Sequence, residues 1–291
     1  MDTKKTGVLA ILAASVMWAI EPILTKVAAR STDFLQITAT RSIAAALIAL
    51  VYVLFTNRGN LRVPRHQVPR LVYIGVMGTV LADLLYVLSL TKIPVINAVL
   101  LGHMQPIFIV LIGYFFLRED RLTVFDYLGI LLMVVAGLLV TTKTPANLFV
   151  MRLGSSGDLL VLVATFAWAT TAVVMRKYLR DLNAGVLVFY RFLIGAVVFV
   201  AYILVTTTLG VRSVHQILVG VVVGIGSVLY YEGLKRIKAA QVSALELSTP
   251  FFAATLAFFV LSESFTAMQV LGIILLVPGI HFLSRKEEAY F

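Results

Sequence analysis

An all-α integral membrane protein, with ten transmembrane helices arranged as two inverted five-helix repeats, is the fold class this sequence predicts. Three observations lead there. Of the 291 residues 60% are hydrophobic and only 13% charged, with a mean hydropathy of +1.00. A soluble globule cannot hide that much apolar surface, whereas a bilayer accepts it if backbone N–H and C=O groups bond internally. The apolar residues also run in long blocks without the period-two alternation of a barrel strand, so the spans are helical. Finally, landmark residues of the first half recur in order in the second.

A helix needs about 20 mostly apolar residues to cross the hydrocarbon core, and the blocks supply ten such stretches. The first lies near 7–29; it follows Lys4 and Lys5 as a signal peptide would, but it is long enough to span and lacks a clear cleavage site, so it is read as retained. The next four lie near 34–56, 69–90, 95–117 and 124–142, and the last five near 157–176, 184–206, 214–234, 239–261 and 265–284. Asp126 and Asp158 stand where carboxylates cap free N–H groups at the start of the fifth and sixth helices. The halves divide at 1–145 and 153–285. Most of the 24 Lys and Arg fall in alternate loops, including Arg58, Arg62, Arg118, Arg121, Lys177, Lys235, Lys238, Arg285 and Lys286. The positive-inside rule then puts both termini in the cytoplasm, with the chain in the cytoplasmic membrane.

The halves superpose at an offset of roughly 150 residues early and roughly 144 later. Trp18-Ala19 faces Trp168-Ala169, Arg41 faces Arg191, Tyr86–Leu90 faces Tyr230–Leu234, Pro106 faces Pro250, and Leu117–Glu119 (LRE) faces Leu261–Glu263 (LSE). Repeats with an odd number of spans enter the membrane from opposite sides, which relates them by a pseudo-twofold axis in its plane and suits alternating access. These landmarks together resemble the EamA family of the drug/metabolite transporter superfamily, over nearly the whole chain. The resemblance implies a central cavity lined by the first, third and fourth helices of each half, a peripheral fifth helix, and cargoes such as amino acids, other metabolites and drugs.

Ionisable groups within a span cost roughly 2.5 to 3.5 kcal/mol each, so they mark partners or function. Counting along the helices sets Glu21, Arg41, Asp83 and His103 roughly 10 to 12 Å below the outer surface, and Arg191 with Glu246 roughly 10 Å from the inner one, as a second pair. The acids do not obey the repeat: Glu21 faces Thr171, Asp83 faces Ser227 and Glu246 faces Gly102. The expected substrate-binding residues are therefore Trp18, Glu21, Asp83, Tyr86, His103, Gln105, Trp168, Tyr230 and Glu246. Pro22, Arg41, Pro106, Arg191 and Pro250 are expected to serve structure or gating; each proline removes an intrahelical donor, and Pro106 and Pro250 are expected as paired kinks in the middle of the fourth helices, where bending could gate the two sides. Pro22 directly follows Glu21, where an opened helix could take a ligand.

The net charge of +10 sits in loops between apolar blocks, where the membrane explains it without nucleic acid. The absence of Cys excludes disulfides and thiolate chemistry, and no HExxH, GxSxG, Asp-rich metal motif or Walker loop is present. No metal, cofactor or enzymatic activity is expected. The expected function is secondary transport of a small metabolite, an amino acid or related amphipathic compound, in the direction of efflux. Proton coupling and a homodimeric state are both compatible with the sequence. An intramembrane enzyme on a lipid substrate, or a passive channel, is the alternative.

Overall fold

The computed structural model describes residues 3–56, 58–117, 123–150, 154–179, 181–237, 242 and 245–284, and no strand occurs among them. In chain order the helices are α1 Thr3–Ala28, α2 Phe34–Thr56, α3 Arg65–Leu90, α4 Val95–Phe115, α5 Val124–Thr142, α6 Ser156–Tyr178, α7 Ala184–Thr206, α8 Val214–Leu234, α9 Ser248–Leu261 and α10 Ala267–Ser284. The first eight are long and apolar enough to cross a bilayer, and α9 and α10 are shorter apolar helices. The ninth span was expected from residue 239, but α9 begins at Ser248; residues 238–241, 243 and 244 lie outside the described residues. Arg118, Glu119 and Arg121, Lys238, and Arg285 with Lys286 also lie outside them.

Local chemistry sets the helix ends. Thr123 with Asp126 and Ser155 with Asp158 form reciprocal capping boxes at the starts of α5 and α6, as the two carboxylates led one to expect. Asn183 and Ser213 cap α7 and α8 through their side-chain oxygens. A short helical turn, Pro145–Phe149, joins the halves and was not foreseen. Neither was the π-helical stretch Gly75–Asp83 in the middle of α3, which re-aims the residues following it.

The expectation of kinks at Pro106 and Pro250 needs correction, because both fourth helices are broken just ahead of these prolines. Val95–Gly102 ends in a turn at His103 and Met104, and Pro106 occupies the first turn of a new segment, Gln105–Ile112. Pro250 likewise sits in the first turn of α9. The first turn tolerates Pro because its N–H would have no intrahelical partner there.

Packing between helices follows the same repeat. α1 packs on α8 and α9, and α6 packs on α3 and α4; α2 packs on α8, and α7 on α3. Exchanging the halves converts each contact into its counterpart, while the pairs α2 with α7 and α5 with α10 convert into themselves. Bare backbone permits the closest approaches. A Cβ on Gly220 of α8 would stand 2.5 Å from the Arg41 carbonyl oxygen, and one on Gly224 3.0 Å from the Ala45 Cα. Outer faces, such as Tyr127, Leu131 and Val134 of α5 and Val270 and Ile274 of α10, expose large apolar side chains suited to lipid.

Gly220→Val should destabilise the fold by about 1 to 3 kcal/mol, since backbone opposes the new side chain. Gly113→Ala, with nothing within 4 Å of its Cβ, should leave the thermal unfolding midpoint in detergent unchanged or higher. Equal midpoints for both variants would show that the α2–α8 contact is looser than described.

Candidate functional site

Four helices from both halves deliver charges to one buried cluster. Arg41 of α2 lies 2.8 Å from Glu21 of α1 through Nη2 and 3.1 Å from Asp83 of α3 through Nη1. Arg191 of α7 reaches the other oxygen of Asp83 at 3.1 Å. Asp83 is thus shared by two arginines, one from each half, and is fully buried. Trp168 of α6 donates its indole N–H to the same carboxylate at 2.9 Å. Arg191 also donates through Nε to the Thr79 hydroxyl at 3.3 Å and through Nη2 to the Gly78 carbonyl at 3.5 Å. Thr79 and Gly78 belong to the π-helical stretch, so the local widening of α3 presents a hydroxyl and a carbonyl to the second arginine.

The two-layer expectation is therefore corrected. Glu21, Arg41 and Asp83 meet as foreseen, but Arg191 joins them through Asp83, where a separate inner pair with Glu246 was expected. Counting residues along straight helices could not anticipate the packing of α7 on α3 or the extended reach of a guanidinium.

Aromatic rings flank the cluster in two matching pairs. Trp18 and Tyr230 have ring centroids 4.9 Å apart, and Trp168 and Tyr86 5.2 Å apart, each pair tilted and each joining one half to the other. Tyr231, beside Tyr230, donates its hydroxyl to the Met175 sulfur at 2.7 Å. Pro22 lies inside α1 directly after Glu21, so the Trp18 carbonyl lacks its usual amide donor.

His103 and Glu246 mark a second junction. His103 Nδ1 lies 2.7 Å from the Val99 carbonyl, and the backbone of Glu246 lies near enough to act electrostatically on its ring. Each residue stands just before a proline-led segment, so the break in α4 meets the chain entering α9. Gln105 opens the second segment of α4 and is partly buried. At Gly102, a Cβ would stand 4.0 Å from the Trp168 ring, which connects this junction to the charge cluster.

The ends of the bundle carry further polar ties that sequence reasoning missed. At the end where α1 finishes, Glu263 accepts from Lys26 Nζ at 2.7 Å and from the Val95 amide at 2.9 Å, capping α4. Beside it Gln269 donates to Asn97, and Asn97 to Asp158, at 2.7 and 2.9 Å. At the opposite end Glu232 pairs with Arg236. A pocket of about 530 Å³ opens at that end between Arg58, Asn60, Arg62 and Tyr190, apart from the buried cluster. The repeated LxE motif was the signal available for Glu263, since it marks the end of each fourth helix.

A polytopic helical bundle, charged at its centre and apolar outside, is a membrane protein of the transporter class. The chain belongs to the EamA-like transporter family, whose profile matches residues 5–142 and 155–285. Relatives agree. An uncharacterized transporter of Methanothermobacter thermautotrophicus is 26% identical over 95% of this chain and 85% of its own. The pseudopaline exporter CntI of Pseudomonas aeruginosa is 34% identical over 49% of this chain and 48% of its own. A solved crystal structure, 18% identical, shares the fold over 96% of both chains with a TM-score of 0.67.

Asp83→Asn should cost about 3 to 5 kcal/mol, because it strips counter-charge from two buried guanidinium groups at once. Glu21→Gln touches one ion pair and keeps an acceptor, and should cost about 1 to 3 kcal/mol. Thermal unfolding in detergent ranks the two; a Glu21→Gln midpoint below that of Asp83→Asn would contradict the shared role of Asp83.

Proposed function

We propose that this chain is an alternating-access secondary carrier that exports a small amphipathic metabolite, an amino acid or a close relative, across the cytoplasmic membrane. In this reading the ten helices all span, the halves are inverted repeats, and both termini are cytoplasmic. The single observation that carries it is the cross-half cluster: Asp83 ties Arg41 of one half to Arg191 of the other at the centre of the bundle. Contacts that exchange in pairs when the halves are swapped support an inverted repeat, because each half can then adopt the other's position. Glu21, Asp83, Trp18, Tyr86, Trp168 and Tyr230 supply charge and aromatic surface for an amphipathic ligand. His103, Gln105 and Glu246 sit at the helix breaks, where unwound backbone and side chains can bind.

The outer end of the bundle supplies a gate. With the amino terminus inside, Lys26, Glu263 and the start of α4 close the outer side. Release outward requires the Glu263 ties to part. A 34% identity to an exporter, over 49% of this chain, supports efflux as the direction.

In proteoliposomes, radiolabelled amino-acid counterflow at two pH values tests the reading. Saturable counterflow that Glu21→Gln loses by on the order of tenfold or more is the expected result, and acceleration by an imposed pH gradient would add proton coupling. Normal transport by Glu21→Gln would remove Glu21 from the site, and no counterflow across a broad metabolite panel would remove the amino-acid assignment.

A further inference from the structure

The two halves hold their arginines unequally. Arg41 lies within ion-pair distance of two carboxylates, one of which, Glu21, comes from the first helix of its own half at 2.8 Å. Arg191 is its repeat equivalent, but the residue equivalent to Glu21 is Thr171. The carboxylate that the first half supplies to its own arginine is therefore missing from the second. Arg191 instead shares Asp83 and relies on neutral partners, the Thr79 hydroxyl and the Gly78 carbonyl. Its side chain is also the most open of the four, 13% exposed against 3% for Arg41, 1% for Asp83 and 9% for Glu21.

Thr171 stands beside it. From the point where a Cβ on Gly78 would sit, Arg191 Nε is 3.3 Å away and Thr171 Cγ2 3.5 Å away. The Thr171 hydroxyl is turned back onto the Trp168 carbonyl at 2.8 Å, so position 171 offers a methyl group on this side.

We propose that Arg191 is the docking point for a carboxylate on the transported molecule, which takes on Arg191 the place that Glu21 holds on Arg41. A guanidinium fork binds a carboxylate by paired, charge-assisted hydrogen bonds, and an incoming carboxylate competes with Asp83 for it. Binding thereby loosens an ion pair that ties the halves together, which couples occupancy to rearrangement. Glu21, Asp83, Arg41 and Arg191 sum to zero charge. A zwitterion adds no net charge to that buried site, whereas a simple anion or amine does. The substrate class is thus a zwitterion bearing a carboxylate, and this inference rests on the carrier reading above.

Thr171→Glu supplies the missing carboxylate from the protein, with Thr171→Gln as the control for size. In proteoliposomes loaded for counterflow of labelled L-phenylalanine and L-leucine, T171E should lose about ten- to a hundredfold in uptake, the equivalent of one charged hydrogen bond. T171Q should keep most of its uptake, and the decarboxylated counterparts phenethylamine and 3-methylbutylamine should fail to compete with the amino acids. Amines that compete as well as amino acids, or a T171E protein that transports like T171Q, would overturn the assignment. A stability cycle reads the same place without any substrate. T171E should unfold at or above the T171Q midpoint while Arg191 is present, and below it once Arg191→Gln is added. If wild type takes up neither amino acid, the cargo reading fails by itself, and the cycle alone decides: coupling to Arg191 keeps the carboxylate place, and no coupling ends it. Thr171→Asp, one methylene shorter, serves in the cycle if glutamine at this position does not fold.

Discussion

Charge in a hydrocarbon-facing bundle persists only when it is matched, and the match that joins the two halves' arginines is made at Asp83. Its two oxygens pair with Arg41 and Arg191, and the Trp168 indole donates to the same carboxylate. Removing the carboxylate would leave two guanidinium groups in a place that penalises even one. Much of the surrounding structure serves this contact. The π-helical stretch of α3 presents Thr79 and Gly78 to Arg191, and the absence of side chains at Gly220 and Gly224 lets α8 press against the backbone of α2 next to Arg41. The halves are therefore joined through a polar centre as well as through apolar packing, and a polar joint can be competed for by a ligand in a way that packed Leu and Val cannot.

The overall fold was legible in the sequence because the bilayer restricts the choices. Long apolar blocks must be helices, and Asp126 and Asp158 announce helix starts through the same capping chemistry they show in the structure. The Trp and Tyr landmarks of the repeat meet across the halves in the structure, Trp18 with Tyr230 and Trp168 with Tyr86, a pairing the repeat alone does not state. Depth along a helix was a weaker guide. It grouped Glu21, Arg41 and Asp83, yet assigned Arg191 to another layer, because it ignores both lateral packing and the length of an arginine side chain. The breaks ahead of Pro106 and Pro250 were read as bends, since a proline signals a lost hydrogen bond but not how far the helix will open. Glu263 was hidden for a different reason. A glutamate at a helix end looks like ordinary surface charge until the amide of Val95 and the ammonium of Lys26 are seen to converge on it.

The departures from symmetry carry as much information as the symmetry. Duplicated arginines with unduplicated acids give one arginine, Arg41, two buried anionic partners and leave the other, Arg191, sharing one of them and more exposed. A scaffold alone would gain nothing from that inequality, whereas a carrier needs one side of its centre to remain available. The fourth helices of the two halves pack against each other, and the first of them breaks at His103, whose Nδ1 lies 2.7 Å from the Val99 carbonyl.

The most direct measurement is a double-mutant cycle between Asp83→Asn and Arg191→Gln, read from thermal and denaturant unfolding of the purified protein. A coupling energy of at least about 2 kcal/mol, with the double variant more stable than Asp83→Asn alone, is expected if the two residues form a buried pair across the halves. Effects that add within about 0.5 kcal/mol would mean the pair does not hold the halves together, and the central cluster would lose its place in the mechanism.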